Sequence, residues 1–141
     1  MLEGVTFGVR HSYTTYGLML AAQPVISPPV PREHWVTIPG MDGALDLSKV
    51  QTGFMQYEMR TISMRFVYVG PRGDWPAVYS EILNDIHGKN LHIIMDNDPD
   101  YYYDGIVKVE QYEPKKAHFG LSVICTVQPF KYALDGSKGG F

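Results

Sequence analysis

The chain has 141 residues, a formal net charge of -3, one cysteine, and 45% hydrophobic and 13% aromatic residues. That length supports one domain around a single core and excludes several. The weakly acidic balance excludes a general nucleic-acid footprint, and the lone Cys125 excludes an internal disulfide or a cysteine zinc set.

Ten tyrosines, ten prolines and fourteen glycines favour strands broken by turns over a helical bundle. In chain order, residues 4–10 (GVTFGVR) read as a first strand and residues 17–26 (GLMLAAQPVI) as a second, interrupted at Pro24. The opening MLEGVTFGVRHSY lacks the charged-then-apolar pattern of a signal peptide, and no run approaches the ~18 apolar residues of a membrane span. The expectation is a soluble protein made in a cytoplasm, without membrane insertion. Residues 24–34, with SPPVPRE, cannot join a sheet interior, because proline has no donor and a fixed φ. They are predicted to form an extended arm. HWVTIPG resumes a strand, and PGMDGALDLS reads as a turn, its glycines suited to positive φ and its aspartates to bonding their own backbone.

From Tyr57 the chain alternates. Ile62, Met64, Phe66 and Tyr68 share one face while Thr61, Ser63 and Arg65 share the other, a half-buried strand of period two. GDWPAVYSEILNDIHGK is the one predicted helix, with apolar residues at Trp75, Val78, Tyr79, Ile82, Leu83 and Ile86. Trp75, Ile82, Leu83 and Ile86 are its core candidates, and Glu81, Asn84 and Asp85 its solvent face. Asp74 suits the N-cap, Pro76 the first turn, His87 the last turn and Gly88 the left-handed C-cap position. Leu91, Ile93 and Met95 alternate as a further strand, GIVKVEQY is another, and EPKKAHFG is a hairpin connection. In the last strand Phe119, Leu121, Val123, Cys125 and Val127 share a face, which makes Cys125 a buried, inert thiol. Residues 133–141 read as a flexible tail or an expression remnant. The fold class is β-rich α+β, one amphipathic helix laid on a sheet.

The stretch HGKNLHIIMDNDPDYYYDGIV concentrates whatever chemistry the chain could hold. Asp96, Asp98 and Asp100 imitate the opening of a calcium loop, but Tyr101 stands where glycine is needed and Val107 where a bidentate glutamate is needed. A solvated loop of aspartates bonding their own backbone is the better reading. Asp42, Asp46 and Asp104 sit beside glycines in apparent turns and do not identify a carboxylate pair for glycoside hydrolysis. His11, His34, His87, His92 and His118 form no HExxH or HxH spacing, and there is no GxSxG, P-loop or GxGxxG motif. No catalytic, cofactor-binding or metal-binding residue is assigned. Tyr101, Tyr102 and Tyr103 admit two readings, a stacking platform for sugar and an anchor for a protein interface. Tyr101 and Tyr103 are the candidate subunit contacts.

The order of these features is itself informative: a glycine-containing N-terminal strand, PGMDGALDLS, a long strand, a tryptophan-bearing helix closing in IHGK, then DNDPDYYYDGIV. It resembles the N-terminal domain of siphophage distal tail proteins over roughly residues 5–132. That resemblance implies a β-sandwich or split-barrel domain over residues 1–132 that forms a homo-hexameric ring and carries no enzymatic site. It further implies a place at the phage tail tip of the virion, after synthesis in the bacterial host cytoplasm. The partners would be tail-tube, tape-measure and tail-tip or baseplate proteins, with DNA passing through the lumen without sequence-specific contact. Residues 24–34 would then bridge to a neighbouring subunit. Many members carry a second, carbohydrate-module-like domain beyond this point, and its binding role does not transfer. Three other readings stand beside this one: a tail-tube or related ring protein, a carbohydrate-binding module using the tyrosines, and a metal-dependent hydrolase using the aspartates.

Overall fold

The computed structural model describes residues 4–50 and 52–141; residues 1–3 of the expected domain and Gln51 lie outside it. The chain begins with a tight hairpin, β1 (Val5–Phe7) and β2 (Arg10–His11), reversed at Gly8 with φ +67°. The predicted first strand is therefore two short ones. A one-turn helix, α1 (Ser12–Tyr16), follows, which the sequence did not announce. Then come β3 (Met19–Leu20), β4 (Val25–Ile26), β5 (Trp35–Val36), β6 (Leu45–Asp46) and the long β7 (Arg60–Tyr68). A 3-10 turn at Arg72–Asp74 leads into α2 (Trp75–Ile86), and β8 (Asn90–Met95), β9 (Tyr101–Pro114), β10 (Phe119–Val127) and β11 (Tyr132–Ala133) complete the order.

The main sheet runs β2-β1-β8-β9-β10-β7-β3, with β4 also paired to β7, β11 to β9, and every pairing antiparallel. Laid flat, its two ends would stand about 29 Å apart, six spacings of roughly 4.8 Å. Only residues 12–18 join β2 to β3, five of them helical, and such a link reaches roughly 15–18 Å. The sheet must therefore curl. Phe7 on β1 and Phe66 on β7 meet edge to face, ring centroids 6.3 Å apart, although β8, β9 and β10 lie between them in the ladder. The result is a split barrel whose gap is bridged by α1.

One core fills the inner face. The alternation in β7 and β10 buries Ile62, Met64 and Phe66 against Leu121, Val123 and Cys125, their registers directly opposed. A bulge leaves Glu110 as the extra residue of β9, between Gln111 opposite Ser122 and Val109 opposite Val123. Helix α2 packs on the same inner face through Trp75, Ile82 and Ile86, with Val78 and Tyr79 half-buried beside them. Leu83 differs from its expected role: it is half-buried and outside the core cluster, because it lies on the flank of the stripe that Trp75, Ile82 and Ile86 define. Asp74 occupies the N-cap position but makes no side-chain cap bond, since the preceding 3-10 turn already holds it in a helical conformation. His87 is the C-cap, and Gly88 takes φ +74° as the glycine rule requires.

The end of the chain departs from the expected flexible tail. Ala133 and Ser137 close a tight turn, Lys131 pairs with Gly139 and Gly140, and Phe141 stacks on Phe130 with ring centroids 5.0 Å apart. Long-range aromatic packing, invisible in the local composition of GSKGGF, holds the segment in place. No helix among the described residues is long and apolar enough to cross a membrane.

Candidate assembly interface

No core residue falls between residues 27 and 59 among those described; this segment stands away from the barrel as a lobe. Its base is a short ladder in which Pro31 bridges Tyr57, Arg32 N–H donates to the Gln56 carbonyl at 2.7 Å, and Glu58 N–H donates to Val30 at 2.7 Å. Arg32 and Glu58 add an ion pair of 3.0 Å. Above the base, β5 and β6 pair Trp35 with Asp46 and Val36 with Leu45, and the connecting loop turns at Gly40 and Gly43, both at positive φ. Hydrogen bonds from the Ser48 hydroxyl and N–H hold the Asp46 carboxyl below the usual carboxylate range and brace the second strand. The predicted turn PGMDGALDLS is thus the loop and second strand of a hairpin.

What the lobe presents is apolar. Val30, Trp35, Ile38, Met41, Leu45, Val50, Phe54 and Met59 are all exposed, Trp35 at 54%, Phe54 at 65% and Val50 at 69%. A groove of about 530 Å³ runs among Arg32, Glu33, His34, Leu47, Val50 and Gln56. Concentrated exposure of large apolar side chains marks a contact surface. The predicted arm, residues 24–34, is extended but not free. Its β4 pairs with β7, Ser27 N–H donates to the Thr61 carbonyl at 3.0 Å, and its far end forms the base of the lobe. The prolines sit along an edge, where no ladder donor is required.

The acid and tyrosine stretch is spent within the chain. Asp96 accepts from Gly4 N–H at 2.8 Å and lies 2.9 Å from His11 Nε2, and Asp98 pairs with Lys131 at 2.7 Å. Asp104 is not in a turn; it pairs with His92 inside the ladder, because the strand begins at Tyr101 rather than Gly105. No cluster of three or more His, Cys, Asp or Glu fit for a metal ion occurs among the described residues. Tyr103 is 6% exposed and lies in the core, where it offers little to a neighbouring subunit. The Tyr101 ring is half-buried under Lys131 Nζ, 4.5 Å from its centroid, and any Cβ on Gly139 would fall 2.6 Å from its edge. Tyr102 is stacked between His92 at 4.0 Å and Tyr132 at 5.7 Å. Each of the three rings already has a partner, so they do not form an open sugar platform.

Sequence reasoning missed Arg60, although its parity with Ile62 and Met64 points it inward. It is 7% exposed and donates to the main-chain oxygens of Ser27 at 3.1 Å, Pro129 at 3.3 Å and Phe141 at 2.7 Å, over the Tyr103 ring. Tyr57, three residues earlier, packs edge-on against Phe130 and Phe141. Together they tie the base of the lobe, the arm and the final segment to one point. Arg60→Met is expected to cost on the order of 2 kcal/mol in urea unfolding, because three acceptors lose a charged donor. A loss within error would show that water replaces those bonds.

Burial pushes the Cys125 thiol up to about 12. The unfolded chain, whose thiol ordinarily titrates near 9.0, releases that proton first, so this group makes stability fall as pH rises between the two values. The folded protein is accordingly expected to resist alkylation at pH 8 until denaturant is added, read by mass spectrometry.

A split antiparallel barrel with one helix packed on it and a protruding apolar hairpin lobe is the class of structure these observations define. No protein-family model and no curated protein sequence matches the chain. Among solved structures, the fold matches that of the SPP1 Dit (gp 19.1) protein, described as "a Paradigm of Hub Adsorption Apparatus in Gram-positive Infecting Phages". The TM-score is 0.70 at 16% identity, over 94% of this chain and 53% of that one. The chain thus spans about half the length of the phage protein. A chain from the virion of a native gene transfer agent particle aligns over 89% of this chain and 93% of its own, at 16% identity and a TM-score of 0.43.

Proposed function

We propose that this chain is a structural protein of a phage tail, one that assembles into a ring of six at the junction of tail tube and tail tip. The observation that carries the reading is the fold likeness to a phage hub protein over 94% of the chain, and the exposed apolar lobe supplies the surface such a role needs. A ring repeats one heterologous contact until it closes, so each subunit must offer two different surfaces. The lobe is one of them, seated on the barrel of the next subunit. The tail tube, the tape-measure protein and the tip or baseplate are the further partners in the virion, and the lumen passes DNA without reading it. On this reading the chain is not an enzyme.

Native mass spectrometry over a concentration series, with negative-stain images, tests the assembly. A discrete hexamer with a central hole is expected. A monomer at every concentration would count against a ring formed by this chain itself. Trp35→Asp combined with Phe54→Asp is expected to reduce the hexamer to monomers that keep the native far-UV circular dichroism spectrum, since neither residue belongs to the core. A hexamer that survives both charges would move the contact away from the lobe.

A further inference from the structure

The seam of the barrel is closed by a histidine. His11 ends β2 and is the N-cap of α1; its Nδ1 accepts from Tyr13 N–H at 3.1 Å and Thr14 N–H at 3.3 Å. Its Nε2 lies 2.9 and 3.1 Å from the two oxygens of Asp96, just past the end of β8. Two N–H donors aimed at Nδ1 fix the tautomer: the ring proton is on Nε2 and is donated to Asp96. The same corner gathers the strand ends. Asp96 also accepts from Gly4 N–H, and the buried Ser12 hydroxyl accepts from Val5 N–H at 3.1 Å. The C-terminal end of α1 is closed by Gly17 at φ +76°, with Gly17 and Leu18 N–H donating to Tyr13 and Ser12 carbonyls at 2.8 and 3.0 Å.

We propose that His11 is a proton-operated catch on the seam: a second ring proton releases α1 while the strand clasp through Asp96 stays in place. A proton on Nδ1 sets a third N–H against the two that cap the helix, and Tyr13 and Thr14 lose their acceptor. The imidazolium still donates to Asp96, now as a charge pair. The whole cost falls on α1, five residues that cannot hold a helix alone. Its release withdraws the Tyr16 hydroxyl from Asp85, 2.9 Å away on α2, and Leu18 from the core. The closed seam has no place for the second proton and the open seam does, so acid favours opening. Histidines as a class change charge between about pH 8 and 5. The other charged or titratable groups around the catch are Arg10 on β2, Tyr13 and Tyr16 on α1, and Asp85 and Glu81 on α2. Asp85 is taken by Arg10 at 3.4 Å and by Tyr16, which leaves Asp96 as the carboxylate bonded to the ring. The inference does not depend on the assembly role proposed above.

The test is NMR of the whole 15N-labelled chain. The His11 ring nitrogens are read at pH 8. Amide protection of Gly17 and Leu18, corrected for intrinsic exchange, is followed from pH 8 to 5 with Val123 and Cys125 in β10 as references. The expected result is the Nε2–H tautomer and an α1 protection that falls about tenfold in acid, the order of a lost cap, while β10 holds. In His11→Asn, whose carboxamide caps a helix without taking up a proton, α1 protection should not change with pH. An Nδ1–H tautomer at pH 8, or α1 protection that falls no further than that of β10, overturns the proposal. The wild-type comparison decides the matter even if the variant does not fold.

Discussion

Gly105→Ala is expected to cost at least about 3 kcal/mol in urea unfolding, at the upper end of what overpacking a core costs. Gly105 sits at the crossing of two ladders, opposite Leu91 of β8 and Val127 of β10. A Cβ built there would fall on the Thr126 carbonyl oxygen and within 2.5 Å of the Val127 Cα. Both obstacles are backbone, so no rotamer change relieves them. The strand must shift, and the shift breaks the alternation that buries Tyr103 and Val107 on either side. A loss below about 1 kcal/mol would mean that β9 and β10 part at this point without resistance.

Phe119→Ala should be comparably severe, about 3–5 kcal/mol. Phe119 is fully buried, and three rings converge on it: Tyr112 at 5.0 Å, Tyr68 at 5.1 Å and Trp75 at 5.7 Å. It joins β7, β9, β10 and the first residue of α2 in one aromatic knot, so truncation opens a cavity that four elements border. The near-UV circular dichroism should change with the stability, because Trp75 loses its edge-on neighbour. Phe54→Ala, an aromatic truncation on the exposed lobe, is the contrast and should stay within about 0.5 kcal/mol when the dissociated subunit is unfolded. Equal losses at the two positions would contradict the division into core and lobe.

The sequence made legible what depends on near neighbours. The period-two pattern of Ile62, Met64 and Phe66 and of Phe119 through Val127 reads directly as the two central strands, and the inward side of α2 follows from Trp75, Ile82 and Ile86. What stayed hidden depends on distant partners. Ser12–Tyr16 contains no strong helix former and is capped by a histidine rather than by Ser, Asp or Asn, so its single turn has no local signature. Phe130 and Phe141 find each other across a turn that ends in the glycine-rich GSKGG, with Tyr57 as the third ring. Trp35 and Phe54 look like core residues in any window of the sequence; only the fold places them outside. The tyrosine cluster misled in the opposite sense, since its rings serve the chain's own packing.

The short link from β2 to β3 also sets an order of events when the chain is made. Beyond the hairpin of β1 with β2, β1 and β3 depend on distant strands: Val5 must wait for Met95, and Met19 for Val67. The central strands β9 and β10 are joined by a tight connection and can pair as soon as they emerge. The seam therefore closes only once β7 and β8 are both in place, a contact of high sequence separation that is slow to form. Until then the inner faces of β7 and β10 lack their closing wall, which makes the unfinished barrel the form most exposed to aggregation. Lowering the concentration of this protein during refolding should therefore raise its yield.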